Sequence, residues 1–219
     1  MMNASEKESY KIQMLRGLAI IAVVFIHNTP DGLGQVLCRP FINFSVGLFL
    51  FLSGLLSTRN KWNPQRRIKK VIIPYISWNA IYAIIYNIKV PGQIPIQFVK
   101  YIFLGNGAAI MYYIWVYCEF TLLIPLIDKM AKSKWKYCGF LISPLEIIIM
   151  RLLPLILHIN MNEYIYLLMS ISCLGWFIYY YLGYLLGNGI LNVKIKMNKL
   201  ICIYIVSIVL QVVEGYLYL

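Results

Sequence analysis

The sequence predicts an all-α membrane protein, with residues 1–219 forming a single domain of about seven transmembrane helices and a cytoplasmic N-terminus. Three observations lead to this fold class. Hydrophobic residues make up 61% of the chain and the mean hydropathy is +0.72, which is more apolar than a soluble domain of this size needs to be. Apolar segments long enough to cross a bilayer recur along the chain. Lys and Arg residues are concentrated in alternate loops between those segments.

The apolar segments give the predicted helices in order along the chain. The first begins with basic residues, but no small-x-small cleavage site follows it, so we expect a retained helix and not a signal peptide. Thr29-Pro-Asp-Gly32 predicts a turn directly after it. The second is rich in Phe, Gly and Ser, and its small residues favour close helix packing. The segments run over 12–30, 41–57, 71–88, 109–128, 137–157, 164–187 and 199–219.

Two regions are expected to depart from simple membrane spans. Pro and Gly residues in 90–107 predict an outer loop, with a short interfacial helix at Ile96–Leu104. Ser143-Pro-Leu-Glu146 matches a capping box with proline at the first helical position. This motif predicts a helix that starts at Pro144 and a break in the fifth span. Broken helices persist in membranes only where protein or water surrounds the exposed backbone.

The net charge of +12 is best explained by membrane topology. By the positive-inside rule, the four basic patches indicate cytoplasmic loops in a multi-pass protein of the cytoplasmic membrane. They predict contact with membrane lipid and argue against nucleic-acid binding. The patches consist of Lys7, Lys11 and Arg16; Arg59, Lys61, Arg66, Arg67, Lys69 and Lys70; Lys129, Lys132, Lys134 and Lys136; and Lys194, Lys196 and Lys199.

The cysteines and histidines predict neither a disulfide framework nor a metal site. The five cysteines are scattered, and Cys38 is the one expected on the outer side. The two histidines, His27 and His158, are far apart in sequence.

Arg16 and His27 are the first candidate site residues. They are eleven residues apart in an apolar helix, which places them on one face and about 16 Å apart along the axis. Ionisable residues inside a membrane helix suggest function, and imidazole titrates near neutral pH. A packing role for His27 and a headgroup contact for Arg16 remain open. Asp31 would orient the imidazole if the helix continued, although Pro30 is expected to end it.

Glu119 and a basic cluster are further candidates. Glu119 lies in the middle of a predicted span, either protonated and structural or paired with Arg16, Arg151 or His27. The basic cluster is read either as a topology and lipid signal or as a cradle for a phosphorylated cytosolic ligand. It consists of Arg66, Arg67, Lys69 and Lys70.

Four motifs together resemble the acyltransferase-3 family of integral membrane acyltransferases. Leu15-Arg-Gly-Leu-Ala19 followed by His27 resembles the family's Arg–ten residues–His signature. Phe49-Leu-Phe-Leu-Ser-Gly54 is similar to its Phe-rich second helix. Arg66-Arg-Ile-Lys-Lys-Val-Ile-Ile-Pro-Tyr75 is similar to its basic motif, and Met111–Pro125 to its later aromatic helix. These matches follow the family order over residues 11–128.

The chain also departs from the family pattern at three points. Ile110-Met-Tyr-Tyr113 stands where the family usually has His-Leu-Trp-Phe. Lys69 or Lys70 replaces the second arginine of the basic motif, which keeps the charge but loses the bidentate fork. The family usually has about ten helices. Because only about seven helices are expected here, we predict a C-terminally truncated form with weak or no activity.

The resemblance implies transfer of an acyl group, most simply acetyl from acetyl-CoA, to a hydroxyl of a cell-envelope glycan or lipid-linked saccharide. It implies that His27 is the general base and that Arg16 holds a donor phosphate or the oxyanion. The basic cluster would bind the CoA phosphates, Glu119 and Asp31 would support the site, and no metal is expected. A transporter or carrier subunit, or an inactive remnant, remains the alternative.

Overall fold

The computed structural model describes residues 4–60, 62–108, 110–156 and 171–217, and every regular element in these ranges is helical. The all-α fold class is therefore confirmed. The α-helices are α1 (Ala4–Ile26), α2 (Leu33–Ile42), α3 (Phe44–Leu55), α4 (Pro64–Tyr86), α5 (Ile94–Leu104), α6 (Tyr112–Ala131), α7 (Ile142–Ile147), α8 (Leu153–Ile156), α9 (Phe177–Gly187) and α10 (Met197–Leu217).

Four helical stretches in the described ranges are long and apolar enough to cross a membrane. They are Glu8–Ile26 in α1, Leu33–Leu55 across α2 and α3, Pro64–Tyr86 in α4 and Met197–Tyr216 in α10. The count of about seven spans is therefore not confirmed: α6 is continuous over 20 residues but is not among the four, and segment 137–157 is divided into short helical turns where the structure describes it. Residues 157–170, which include His158 and parts of two predicted spans, lie outside the described residues.

The predicted turn after the first helix is confirmed. α1 ends at Ile26, four residues before the expected boundary, because local side-chain bonds replace the helical pattern. The Asn28 amide donates to the Val24 carbonyl at 2.7 Å and the Thr29 hydroxyl donates to the Ile26 carbonyl at 3.0 Å. Gly32 then adopts a φ of 69°, a left-handed value that suits glycine, before α2 begins.

The centre of the bundle is the contact between α3 and α9, the most extensive between any two helices in the part of the chain that is described. Glycines on both helices allow it. A Cβ added to Gly54 would collide with the Tyr180 carbonyl oxygen, and one added to Gly183 would collide with the Phe51 carbonyl oxygen. The close approach predicted from small residues in 41–57 is therefore confirmed. Phe120 of α6 stacks on Tyr180 beside this contact, with ring centroids 4.3 Å apart.

The short helix expected at Ile96–Leu104 is confirmed as α5, which begins two residues earlier. It packs along α4, and its C-terminal end lies beside Tyr75, in the middle of α4. The Tyr75 hydroxyl donates to the Ile102 carbonyl at 2.6 Å, and the Trp115 indole N–H donates to the same carbonyl at 3.0 Å. Carbonyls at the end of a helix need such donors away from water. Gly105 ends the helix with a φ of 63°.

The fifth apolar segment is interrupted, as expected, but not at the predicted place. A 3₁₀ turn at Lys136–Leu141 runs directly into α7, and a π-helical turn at Ile148–Leu152 precedes α8. The capping box is wrong because α7 already begins at Ile142, so Ser143 is within the helix. Its hydroxyl instead donates to the Leu174 carbonyl at 2.8 Å and accepts from the Ile178 N–H at 3.0 Å. Glu146 packs beside Gly175.

Candidate active site

A cavity of about 1260 Å³ lies between α1, the α2–α3 span, α4, α6, α9 and α10. Most of its wall is aliphatic and aromatic, including Ile20, Val23, Phe49 and Trp78. A few polar side chains interrupt this apolar wall, which is the usual composition of a small-molecule site. Apart from tyrosine and serine hydroxyls, the polar side chains among them are His27, Arg39, Asn43, Lys70 and Gln211.

His27 lines this cavity directly after the last residue of α1. Its backbone N–H still bonds to the Val23 carbonyl at 3.3 Å, so the helical path carries it one residue further. The side chain is exposed and makes no hydrogen bond to Asp31, which is itself exposed on the turn. The helix ends before Pro30, as expected, so the condition under which Asp31 would orient the imidazole is not met.

Arg16 does not line the cavity but lies close to a residue that does. Its side chain is half-buried in α1, near enough to Tyr113 for its positive charge to favour the ionised form of that hydroxyl. Tyr113 lines the cavity at the start of α6. Three of the motifs singled out in the sequence therefore converge here: the Arg–His helix, the end of α3 and the aromatic helix.

The basic cluster divides into three environments. Arg66, Lys69 and Lys70 are all exposed on α4, and of these three Lys70 lines the cavity. Arg67 is half-buried and donates from Nη1 to the Ser57 hydroxyl at 3.0 Å. This division follows from the helix start, where the Asn63 side chain accepts from the Arg66 N–H and proline occupies the first turn.

Ser57 is a buried junction that sequence reasoning missed. Its hydroxyl accepts hydrogen bonds from Arg67 and from the Tyr180 hydroxyl, the latter at 2.9 Å, and donates to the Ser53 carbonyl at 2.7 Å. The Asn188 amide donates to its carbonyl at 2.9 Å. The hydroxyl group is thus fully used in tying α3, α4 and α9 together. The signal that the sequence offered for this junction is the position of Ser57, one helical turn after Ser53 of the Ser53-Gly54 motif.

Glu119 serves a structural purpose at the edge of the core. Its Oε2 accepts a hydrogen bond from the Cys173 backbone N–H at 2.6 Å, close to the 3₁₀ turn that leads into α9. No ion pair joins Glu119 to Arg16 or His27, and the Arg151 side chain lies outside the described residues. Of the roles considered from sequence, the structural one is the role its contacts support.

A second cavity of about 370 Å³ adjoins the first between α2 and α10. The two share Arg39, Pro40, Asn43 and Gln211. Arg39 and Asn43 lie four residues apart at the end of α2, which places them on one helix face, and no sequence motif singled them out. The described residues contain no group of three or more His, Cys, Asp or Glu side chains placed to hold a metal ion.

Comparison with known proteins identifies the family. A family model described as an acyltransferase domain matches residues 9–218. The chain belongs to the acyltransferase-3 family. The matched span contains the cavity, both members of the Arg–His pair and the whole basic cluster, so the family assignment and the site concern the same residues. It supports a membrane acyltransferase in general terms. No curated protein and no solved structure matches this acyltransferase-3 chain significantly.

Proposed function

We propose that the protein is a multi-pass acyltransferase of the cytoplasmic membrane that transfers an acetyl group from acetyl-CoA to a hydroxyl of a cell-envelope glycan or lipid-linked saccharide. The observation that carries the proposal is the single cavity lined by both His27 and Lys70 within the span matched by the family model. One residue is suited to take up a proton and the other to contact a phosphorylated donor.

His27 is the general base in this proposal. The acceptor hydroxyl oxygen attacks the thioester carbonyl carbon while a ring nitrogen of neutral His27 takes the hydroxyl proton. The tetrahedral intermediate then collapses and the carbon–sulfur bond breaks. CoA leaves as a thiolate that takes up the proton from the imidazolium, which returns His27 to its neutral form. A positioned base of this kind accelerates a reaction by roughly a hundredfold to ten-thousandfold.

Arg16 acts on the donor at some distance from the reacting carbonyl. Eleven helical steps lead from Arg16 to His27, which corresponds to about 16 Å along the axis. A base and an oxyanion donor must both lie about 3 Å from the reacting group. That separation favours a phosphate contact for Arg16 over the oxyanion role. A guanidinium suits such a contact because it binds phosphate in a bidentate manner.

The donor enters from the basic side of the protein. Consecutive spans of a bundle alternate in direction, so the first turns of α1 and α4 lie on one side and His27 lies toward the other. Lys70, near the start of α4, belongs to the basic side, which the positive-inside rule assigns to the cytoplasm, and Arg16 lies midway along the first span between that side and His27. Exposed Arg66 and Lys69 raise the local concentration of the anionic donor. Arg67 positions the helix start through Ser57.

The test uses purified protein in lipid nanodiscs with radiolabelled acetyl-CoA. We expect the wild type to cleave the thioester and label a saccharide acceptor, and His27→Ala at matched stability to lose both activities. Unchanged thioester cleavage in His27→Ala would remove the base role. In sealed proteoliposomes, movement of acetyl-CoA or of a saccharide across the bilayer without thioester cleavage would support the transporter alternative instead.

A further inference from the structure

The polar cavity between α2 and α10 has its own chemistry. Its volume of about 370 Å³ falls within the range of small-molecule sites. In contrast to the apolar main cavity, its wall carries two charged and three amide side chains. These are Gln35, Arg39, Asn43, Gln211 and Glu214.

The two helices that form this cavity are held at a fixed spacing. A Cβ added to Gly215 of α10 would lie 3.1 Å from a Val36 methyl group, so the backbone of α10 approaches α2 closely there. One turn earlier, the Asn43 Nδ2 donates to the Gln211 Oε1 at 3.0 Å. The cleft is therefore built by a defined contact between helices.

The polar groups in the cleft retain free hydrogen-bonding capacity. A bonded amide pair keeps one free carbonyl oxygen and one free NH₂ group, whichever way the two amides are oriented. Arg39 and Glu214 both line the cleft, yet no ion pair joins them. The wall thus presents donors and acceptors side by side, and the carboxylate of Glu214 disfavours an anionic ligand such as free phosphate.

We propose that this cleft binds the saccharide acceptor, with the reacting hydroxyl directed into the cavity that His27 lines. A sugar ring carries hydroxyls that each donate and accept, which is the pattern that Asn43, Gln211 and Arg39 complement. The shared walls connect the cleft to the His27 cavity. This inference rests on the proposed function, because it names the substrate held by the other end of the same site.

Photolabelling tests the cleft without requiring activity. The probe is octyl glucoside carrying a diazirine on the sugar, and octanol carrying the same diazirine is the control for apolar binding. In the wild type in nanodiscs, we expect the glucoside probe to label residues 33–43 and 207–215, with competition by excess glucose. Gln211→Ala and Arg39→Gln should lose this labelling. Gln97→Ala is the matched control, because this amide lies on α5 and lines neither cavity.

Kinetics provides the second measurement. Asn43→Ala and Gln211→Ala should each raise the KM for the saccharide about threefold to tenfold, the value of one or two lost hydrogen bonds. The KM for acetyl-CoA should rise less than the KM for the saccharide, since the donor phosphates are assigned to Arg16 and Lys70 and not to these two amides.

The two arms separate failure of this inference from failure of the proposed function. Two results would overturn saccharide binding in the cleft. One is equal labelling by the octanol probe and the glucoside probe, and the other is undiminished glucoside labelling in both Gln211→Ala and Arg39→Gln. Acetyl transfer to the glucoside without labelling of α2 and α10 would also overturn saccharide binding in the cleft, but it would leave the acyltransferase proposal intact. Specific labelling of the cleft in a protein that never cleaves acetyl-CoA would sustain the saccharide site and reject the acyltransferase reaction.

Discussion

Arg67 Nη1 donates a hydrogen bond to Ser57 Oγ at 3.0 Å, which joins the first turns of α4 to the end of α3. The same hydroxyl accepts from Tyr180 of α9 at 2.9 Å. A basic residue that sequence motifs assign to phosphate binding therefore has a structural partner inside the protein. Arg67 and its neighbour Arg66 are expected to behave differently when they are replaced.

We predict that Arg67→Ala lowers the thermal unfolding temperature more than Arg66→Ala. Arg67 bonds the buried Ser57 hydroxyl, whereas the Arg66 side chain is exposed. Ser57→Ala should destabilise the fold by about 1–3 kcal/mol, because the buried Tyr180 hydroxyl loses its partner. A double-mutant cycle of Ser57→Ala with Tyr180→Phe should show coupling, and additive effects would contradict the junction.

Lys70 and Lys69 offer a matched test of donor binding. Lys70→Ala should raise the KM for acetyl-CoA about tenfold or more, with a smaller change in kcat, because a charged phosphate contact contributes uniform binding. Lys69→Ala removes the same charge from the adjacent position, which is exposed and lines neither cavity. Equal changes in KM for both variants would indicate general attraction of the anionic donor instead of a specific contact.

Membrane topology is tested with single cysteines in a cysteine-free background. Asn60 and Asp31 are exposed residues in the loops at opposite ends of the α2–α3 span. With a cytoplasmic N-terminus, Asp31→Cys should react with an impermeant maleimide in intact cells, and Asn60→Cys only after permeabilisation. The reverse pattern would invert the proposed orientation.

The α3–α9 contact makes a prediction about stability. Gly183→Ala should destabilise the protein by about 1–3 kcal/mol, because the new methyl group has no room beside the Phe51 carbonyl. Gly17→Ala is the control, since an added Cβ there meets nothing within 4 Å. Alanine favours a helix over glycine by about 1 kcal/mol, so this control should be neutral or stabilising. The free energy of unfolding of both variants is measured by chemical denaturation in detergent, with tryptophan fluorescence as the signal.

Local chemistry explains the parts of the fold that could be predicted. The turn from Thr29 to Gly32 and the close packing at Gly54 follow from proline, glycine and short polar side chains near each other in sequence. The capping box at Ser143 failed because a distant segment claims the hydroxyl: its partners are Leu174 and Ile178. Local motifs do not reveal such partners.

The candidate site likewise contains residues that local sequence motifs indicate and residues whose partners are distant in sequence. His27 and Lys70 carry sequence signals within their own helices, and both line the cavity. Asn43 and Gln211 meet across 168 residues, and no periodicity within either helix indicates that contact. Their pairing requires knowledge of which helices are neighbours, which one sequence without tertiary information does not contain.

The position of α5 has a consequence for biosynthesis. With 11 residues, it is too short to cross a bilayer alone. Its terminal carbonyls are bonded by Tyr75, which the ribosome adds earlier, and by Trp115, which it adds later. An exposed carbonyl in hydrocarbon costs several kcal/mol. The bond from Tyr75 can therefore form as soon as residues 94–104 have been synthesised, whereas the bond from Trp115 to the same Ile102 carbonyl must await the start of α6.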